Sequence, residues 1–305
     1  MRTCFAATIA FAAFCGLAGQ CALADDKPCQ LVRVASVDMS TDAAGTPDVP
    51  FTIDGHTLTM LIDTGGVDSM LSSATVEALA LPSVRIESSG LRMFGGAPLD
   101  HKTYAHNIDF GGLKASQMQF IIMPYRLPEG VSGTLSNDVL RVYDDEFDFA
   151  NAKFNLFLQD HCESNLAYWT KDDHAEIPFK LDYVGHIEFK VELDGQTIPA
   201  AFDTGSSRST LELERAQDLF GLKDDDPALK KVASTNHGDV YKYPFKQLKF
   251  GGVSVSNPDL ELYPRRAMAM PGQPQLILGM GIIRQLHLYI AYKEKKLYVT
   301  AASTH

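Results

Sequence analysis

The sequence predicts a mainly β protein built of two pseudo-symmetric lobes, and three observations carry that expectation. The tripeptide Asp63-Thr64-Gly65 recurs as Asp203-Thr204-Gly205, each copy closing a short apolar run, Met60-Leu61-Ile62 and Ala200-Ala201-Phe202. The same 140-residue offset relates Asp54-Gly55 to Asp194-Gly195 and Phe110-Gly111-Gly112 to Phe250-Gly251-Gly252. Chance supplies one such tripeptide in about one chain in twenty of this length, so two copies in matched contexts mark an internal duplication. Most apolar segments, finally, are short, alternating and bounded by glycine or proline, the pattern of strands.

Taken in order, Met1-Arg2 supplies a positive charge, residues 4–23 are almost wholly apolar, and Ala22-Leu23-Ala24 offers small residues ahead of Asp25-Asp26. Residues 1–24 therefore read as a cleaved secretory signal. The alternative is a retained membrane anchor, because the run approaches the roughly 20 residues of a bilayer span. Gln20 separates Leu17-Ala18-Gly19 from Cys21, which disfavours a lipoprotein. A secreted or periplasmic protein, off the membrane once the signal is cleaved, is expected. The lack of any Asn-x-Ser/Thr site is compatible with a bacterial periplasm.

The first lobe is expected over residues 25–160. Residues 51–53, the Asp54-Gly55 turn and residues 57–62 form a strand, a tight turn and a second strand that delivers Asp63. A short helix over 73–79 follows, then a hairpin tip of small residues at Phe94-Gly95-Gly96-Ala97. Residues 161–180 are polar and irregular, carry Cys162 and the single tryptophan, Trp169, and read as the inter-lobe linker. The second lobe, 181–305, repeats the scheme with strands over 187–193 and 197–202 around Asp194-Gly195, a helix over 213–220 and a weaker tip at Asn236-His237-Gly238. Of five cysteines, Cys4, Cys15 and Cys21 fall in the signal, which leaves Cys29 and Cys162. One disulfide in an oxidising compartment is expected, two unrelated thiols being the alternative.

Net charge is −11, with no Lys/Arg run and no aromatics interleaved with basic residues, so a nucleic-acid partner has no electrostatic footprint. His101 and His106 lack a third ligand at metal spacing, so no metal is expected. Neither a Gly-x-Ser-x-Gly elbow nor a phosphate-binding glycine loop is present, so nucleophilic hydrolysis and nucleotide binding lack support and no cofactor is implied. Tyr241 and Tyr243 alternate with lysines, as on an exposed face. Arg208, just past the second Asp-Thr-Gly, either faces a cleft or stands on the lobe surface.

These residues resemble the pepsin/retropepsin-like aspartic protease superfamily in a tandem, two-lobed form of bacterial type. The match is hydrophobic-hydrophobic-Asp-Thr-Gly in both halves, followed by a hydrophobic-hydrophobic-Gly element: Ile277-Leu278-Gly279 in the second, Thr134-Leu135-Ser136 in the first. The resemblance implies two β-barrel lobes with a cleft between them. It further implies Asp63 and Asp203 as catalytic residues, with Thr64, Gly65, Thr204, Gly205 and Ser206 in support. Thr64 and Thr204 would bond across the lobe interface and hold the pair rigid, while Phe94, Gly95 and Gly96 would form a flap over an extended peptide or protein substrate. With both half-sites in one chain, a monomer suffices. Ser136 where glycine is usual, and Gly66 where serine or alanine is usual, depart from the pattern.

Metal-free peptide hydrolysis needs water activated on one side and the carbonyl oxygen protonated on the other, which two carboxyls sharing one proton supply. Two full charges about 3 Å apart would repel by about 5 kcal/mol at an effective dielectric near 20, so the singly protonated pair dominates. A hydroxyl from Ser206 to Asp203 would make Asp203 the more easily ionised member and the water-activating base. The rival expectations are a non-catalytic peptide-binding module on the same scaffold, and a structural or adhesion protein in which both tripeptides are ordinary turns.

Overall fold

Each Asp-Thr-Gly turn is delivered by the second strand of a hairpin. Pro47–Ile53 pairs antiparallel with His56–Ile62, and Ile187–Leu193 with Gln196–Phe202. Both hairpins turn on Asp-Gly with positive φ at each residue, 49° and 80° at Asp54 and Gly55, 43° and 83° at Asp194 and Gly195. That backbone matches the twist of the flanking strands, and glycine adopts it freely. The computed structural model describes residues 30–87, 98–124, 127–162, 166–268 and 274–303. The expected signal segment 1–24, Cys29, and Phe94, Gly95 and Gly96 of the expected flap lie outside them.

In both halves a third strand lies between the strand entering the Asp-Thr-Gly turn and the strand leaving it. Gly133–Leu135 runs parallel to Met60, Leu61 and Ile62, and antiparallel to Met70–Ser72. Leu276–Leu278 runs parallel to Ala200, Ala201 and Phe202, and antiparallel to Ser209–Glu212. These strands belong to an eight-stranded first-half sheet and a ten-stranded second-half sheet. The first curls back on itself where Thr52 pairs with Asp109. The duplicated phenylalanines pack into one continuous core: Phe110 packs 5.7 Å from Phe51 and 6.3 Å from Phe154, and Phe250 lies 5.8 Å from Phe189. Each such buried side chain contributes about 1.5–3 kcal/mol through lost apolar exposure.

The helices fall where the apolar spacing put them. Ser73–Ala78 is capped by the Ser72 hydroxyl, which accepts from Thr75 N at 3.1 Å. Leu213–Phe220 stops at Gly221 in the left-handed region. A hairpin of Lys230–Thr235 and Gly238–Lys242 brackets the second tip. Tyr241 and Tyr243 differ from expectation: both are half-buried against the core, and Tyr243 meets Phe245 edge-on at 5.0 Å. Alternation with lysine marked the strand but not which face was covered.

A third sheet joins the halves in the order Arg33–Asp38, Lys153–Phe157, Asp144–Asp148, Leu286–Ala291, Lys296–Ala301, Ala175–Pro178. Its centre is the pairing of Phe147 with Leu288 and Asp145 with Ile290, one strand from each half. Residues 31–305 accordingly make one compact unit. The 161–180 stretch supplies part of this sheet, since Ala175–Pro178 forms its edge and Trp169 stacks on His287 at 4.2 Å. Cys162 is disulfide-bonded. No helix among the described residues is long and apolar enough to cross a membrane.

The shared sheet also buries three consecutive acids, Asp144, Asp145 and Glu146. Asp144 accepts from His161, Tyr289 and the Tyr292 amide; Asp145 from the Tyr292 hydroxyl; Glu146 from Asn155, Tyr168 and His287. Burial holds Asp144 and Asp145 above the usual carboxylate range despite these bonds. His287, Tyr289 and Tyr292 come from the second half and Tyr168 from the joining stretch, so the acids tie the halves together.

Candidate active site

The parallel pairing beside each turn fixes where the aspartates begin. Asp63 N donates to Leu135 O at 2.8 Å, and Asp203 N to Leu278 O at 3.0 Å. Each carboxylate is held by its own turn, with Gly65 N donating to Asp63 Oδ1 at 3.0 Å and Gly205 N to Asp203 Oδ1 at 2.8 Å. The two acids are close enough that the charge of Asp203 acts on Asp63. Each glycine faces the opposite acid: a methyl group at Gly65 would stand 2.6 Å from Asp203 Oδ2, and one at Gly205 2.6 Å from the Asp63 carboxyl carbon. Neither glycine is in the left-handed region, so space rather than backbone conformation demands a residue without a side chain here.

Beneath the acids the two threonines exchange bonds across the halves. Thr64 N donates to Thr204 Oγ1 at 3.1 Å and Thr204 N to Thr64 Oγ1 at 3.0 Å, while each hydroxyl donates onward, Thr204 to Ile62 O at 2.7 Å and Thr64 to Phe202 O at 3.3 Å. Both side chains are fully buried. This is the cross-interface bonding that the resemblance implies for Thr64 and Thr204.

Ser206 behaves otherwise than expected. Its amide donates to Asp203 Oδ1 at 3.1 Å, but its hydroxyl donates to Arg208 O at 2.9 Å. The turn directs the hydroxyl onward to the carbonyl two residues later rather than to the carboxylate. Arg208 forms an ion pair with the buried Glu261, which also accepts from Tyr263 at 3.2 Å; the arginine thus neutralises a buried acid while its own side chain stays largely exposed.

Two further pairs escaped the sequence reading. Ser69 Oγ accepts from Ser136 N, and Ser209 Oγ from Gly279 N, both at 3.0 Å, clamping the third strand to the outgoing strand in each half. Ser69 and Ser209 stand at the same 140-residue offset, a signal available in the sequence. Asp138 accepts from both the amide and hydroxyl of Ser69, and Asn137 Nδ2 donates to Thr64 O at 3.0 Å. Asn137 and Asp138 have no counterpart at that offset and were not legible.

Burial and the neighbouring Asp203 charge push Asp63 up to about 8, against the opposing amides of Gly65 and Gly66. Burial raises Asp203 as well, but the amides of Gly205 and Ser206, the charge of His186 and the bond from Asp63 pull it back. Burial thus favours a pair that keeps a proton, and the groups that pull Asp203 back are backbone amides rather than the Ser206 hydroxyl. The pair titrates as a unit. A carboxyl raised on folding contributes stability that is present below its unfolded value, near 4, and is lost as pH climbs through about 8. Asp63→Asn mimics the protonated acid without that loss. Its melting temperature is expected to exceed wild type by roughly 3–6 °C at pH 8 and to converge with it near pH 4; parallel melting curves over that range would contradict the assignment.

Among the described residues, Asp144, His161 and Glu294 bring potential metal-ligating atoms within 4.8 Å of one another. The Asp144 oxygens already accept from His161, Tyr289 and Tyr292, so the group reads as a hydrogen-bonded brace. His101 pairs with Asp100 instead of collecting ligands.

A family profile described as "Aspartyl protease" matches residues 189–282, and one described as "gag-polyprotein putative aspartyl protease" matches residues 49–135, one on each Asp-Thr-Gly copy. Each half of the chain thus carries an aspartyl protease-like domain. Among solved structures, this aspartic protease-like chain is similar to basic 7S globulin from soybean, at 10% identity and a TM-score of 0.50 over 90% of this chain and 97% of that one. It is likewise similar to conglutin gamma, a basic 7S globulin from lupine seeds, at 11% identity and the same TM-score over 90% and 96%. At such identities the likeness concerns the fold. No curated protein matches this aspartic protease relative.

Proposed function

We propose that the protein is a secreted or periplasmic aspartic endopeptidase in which Asp203 activates water and Asp63 protonates the scissile carbonyl. The observation that carries this reading is the half-buried carboxyl pair at the meeting of two duplicated turns, each acid facing the opposite glycine. One proton shared between such acids supplies both halves of the reaction. An extended peptide would lie between the halves, under the segment containing Phe94, Gly95 and Gly96. The family match supports a protease, and both acids being present in one chain supports a monomer.

Digestion of a fluorogenic peptide library by the mature protein, from pH 4 to 8, is the direct test. Internal cleavage is expected, with activity falling as pH rises through about 8, where Asp63 loses its proton. Peptide binding without cleavage anywhere in that range would favour a non-catalytic peptide-binding module, an alternative that the fold shared with seed globulins keeps in view. Mature protein recovered from a periplasmic or culture fraction is expected to begin at Asp25.

A further inference from the structure

The two departures from the superfamily pattern are neighbours. Gly66 follows the first Asp-Thr-Gly, and Ser136 ends the strand beside it; a methyl group at Gly66 would overlap the Ser136 hydroxyl and stand 3.0 Å from Ser136 Cβ and 2.8 Å from Asp63 Oδ2. Gly66 is outside the left-handed region, so its backbone would accept serine. What bars a side chain there is the volume already taken by the fully buried Ser136 together with the Asp63 carboxylate beside it.

The second half is arranged the other way round. Ser206 occupies the place of Gly66, and Gly279 the place of Ser136. A methyl group at Gly279 would stand 2.6 Å from Ser206 O and overlap Arg208 O, the carbonyl to which the Ser206 hydroxyl donates. The backbone connections around the pair are otherwise the same: Asn137 N donates to Gly66 O at 3.3 Å, as Met280 N does to Ser206 O at 2.8 Å. Ser136 N and Gly279 N bond to Ser69 and Ser209 alike. Each half thus holds one serine and one glycine at these two positions, in exchanged places.

We propose that Ser136 is a positioning residue for Asp63, filling from the strand end the volume beside the acid that a side chain at position 66 would take, and that Gly66 is its compensating partner. The hydroxyl and Cβ of Ser136 wall the volume next to Asp63 Oδ2. Fully buried against a close-packed neighbour, Ser136 cannot be removed or doubled without displacing the acid. Its nearest polar partner, Thr134 Oγ1 at 3.5 Å, is a weak one, which leaves the site dependent on packing.

The inference takes its kinetic form from the endopeptidase reading, and the experiment separates the two. Wild type, Gly66→Ser, Ser136→Gly, Ser136→Ala and the exchange Gly66→Ser/Ser136→Gly are compared for kcat, KM, pH profile and melting temperature. Each glycine-serine single substitution is expected to lower kcat about tenfold to a hundredfold with KM within about twofold, because a displaced acid costs rate rather than binding. The exchange variant is expected to recover most of that loss and most of the lost melting temperature. Ser136→Ala, which keeps the Cβ, is expected to lie between wild type and Ser136→Gly. Wild-type kcat and pH profile in both Ser136→Gly and Ser136→Ala, or an exchange variant no better than its worse parent, would overturn the proposal. Should wild type cleave no peptide, the endopeptidase reading fails alone: the melting temperatures still decide, non-additive recovery in the exchange supporting the pairing and additive losses overturning it.

Discussion

Asp203→Asn is expected to lower peptide turnover by at least ~1,000-fold while leaving the fold intact, with Asp63→Asn close behind. The asparagine oxygen still accepts from Gly205 N and Ser206 N, so the turn keeps its bonds; what disappears is the carboxylate that takes a proton from water. Asp63→Asn removes the proton that the carbonyl oxygen would receive, and leaves Asp203 without a partner acid. Because the two act as one unit, the double variant is expected to be scarcely slower than either single one. Steady-state kinetics on a fluorogenic peptide, with circular dichroism as a control for folding, measures this. Cleavage surviving at a tenth of the wild-type rate in either variant would remove the pair from the mechanism. Peptide affinity is expected to change by less than tenfold, since an amide occupies the same volume as the acid.

The duplication made half of this site readable and hid the other half for a physical reason. Asp63, Thr64, Gly65 and their copies announce themselves because tight turns and close approaches admit few residue types, so the same letters must recur. The hairpins follow from local alternation and their Asp-Gly turns, and the structure contains them, with the two short helices, close to the expected residues. The burial of Asp144, Asp145 and Glu146 has no local signal, because their partners His161, His287, Tyr289 and Tyr292 lie 17 to 147 residues away. Gly66 and Ser136 read as two separate defects for the same reason. Only their contact shows that one occupies the space the other vacates. The Ser206 hydroxyl was assigned from proximity in sequence, whereas the turn directs it to Arg208 O.

The largest expected loss of stability lies beneath the acids rather than in them. Thr204→Ala removes the acceptor of Thr64 N and the donor to Ile62 O, both in a region with no access to solvent. Each buried backbone group left unmatched costs about 1–3 kcal/mol, so the substitution is expected to destabilise by about 3–5 kcal/mol and lower the melting temperature by about 10 °C. Thr64→Ala breaks the reciprocal bonds to Thr204 N and Phe202 O, of which the latter is longer at 3.3 Å, and is expected to cost somewhat less. Thr204→Ser keeps the oxygen and is expected to restore most of the difference, which separates hydrogen bonding from loss of the methyl group. The same change acts on chemistry, because the threonines bind each Asp-Thr-Gly turn to the other half: with the exchange broken the carboxyls are free to drift apart, and the shared proton reverts to an ordinary carboxyl. Thr204→Ala is therefore expected to lose activity more than tenfold even below its melting transition, with the pH profile broadening toward unperturbed carboxylate values. A variant that melts within roughly 2 °C of wild type, or that keeps its full activity, would mean that the acids are held by their own turns alone.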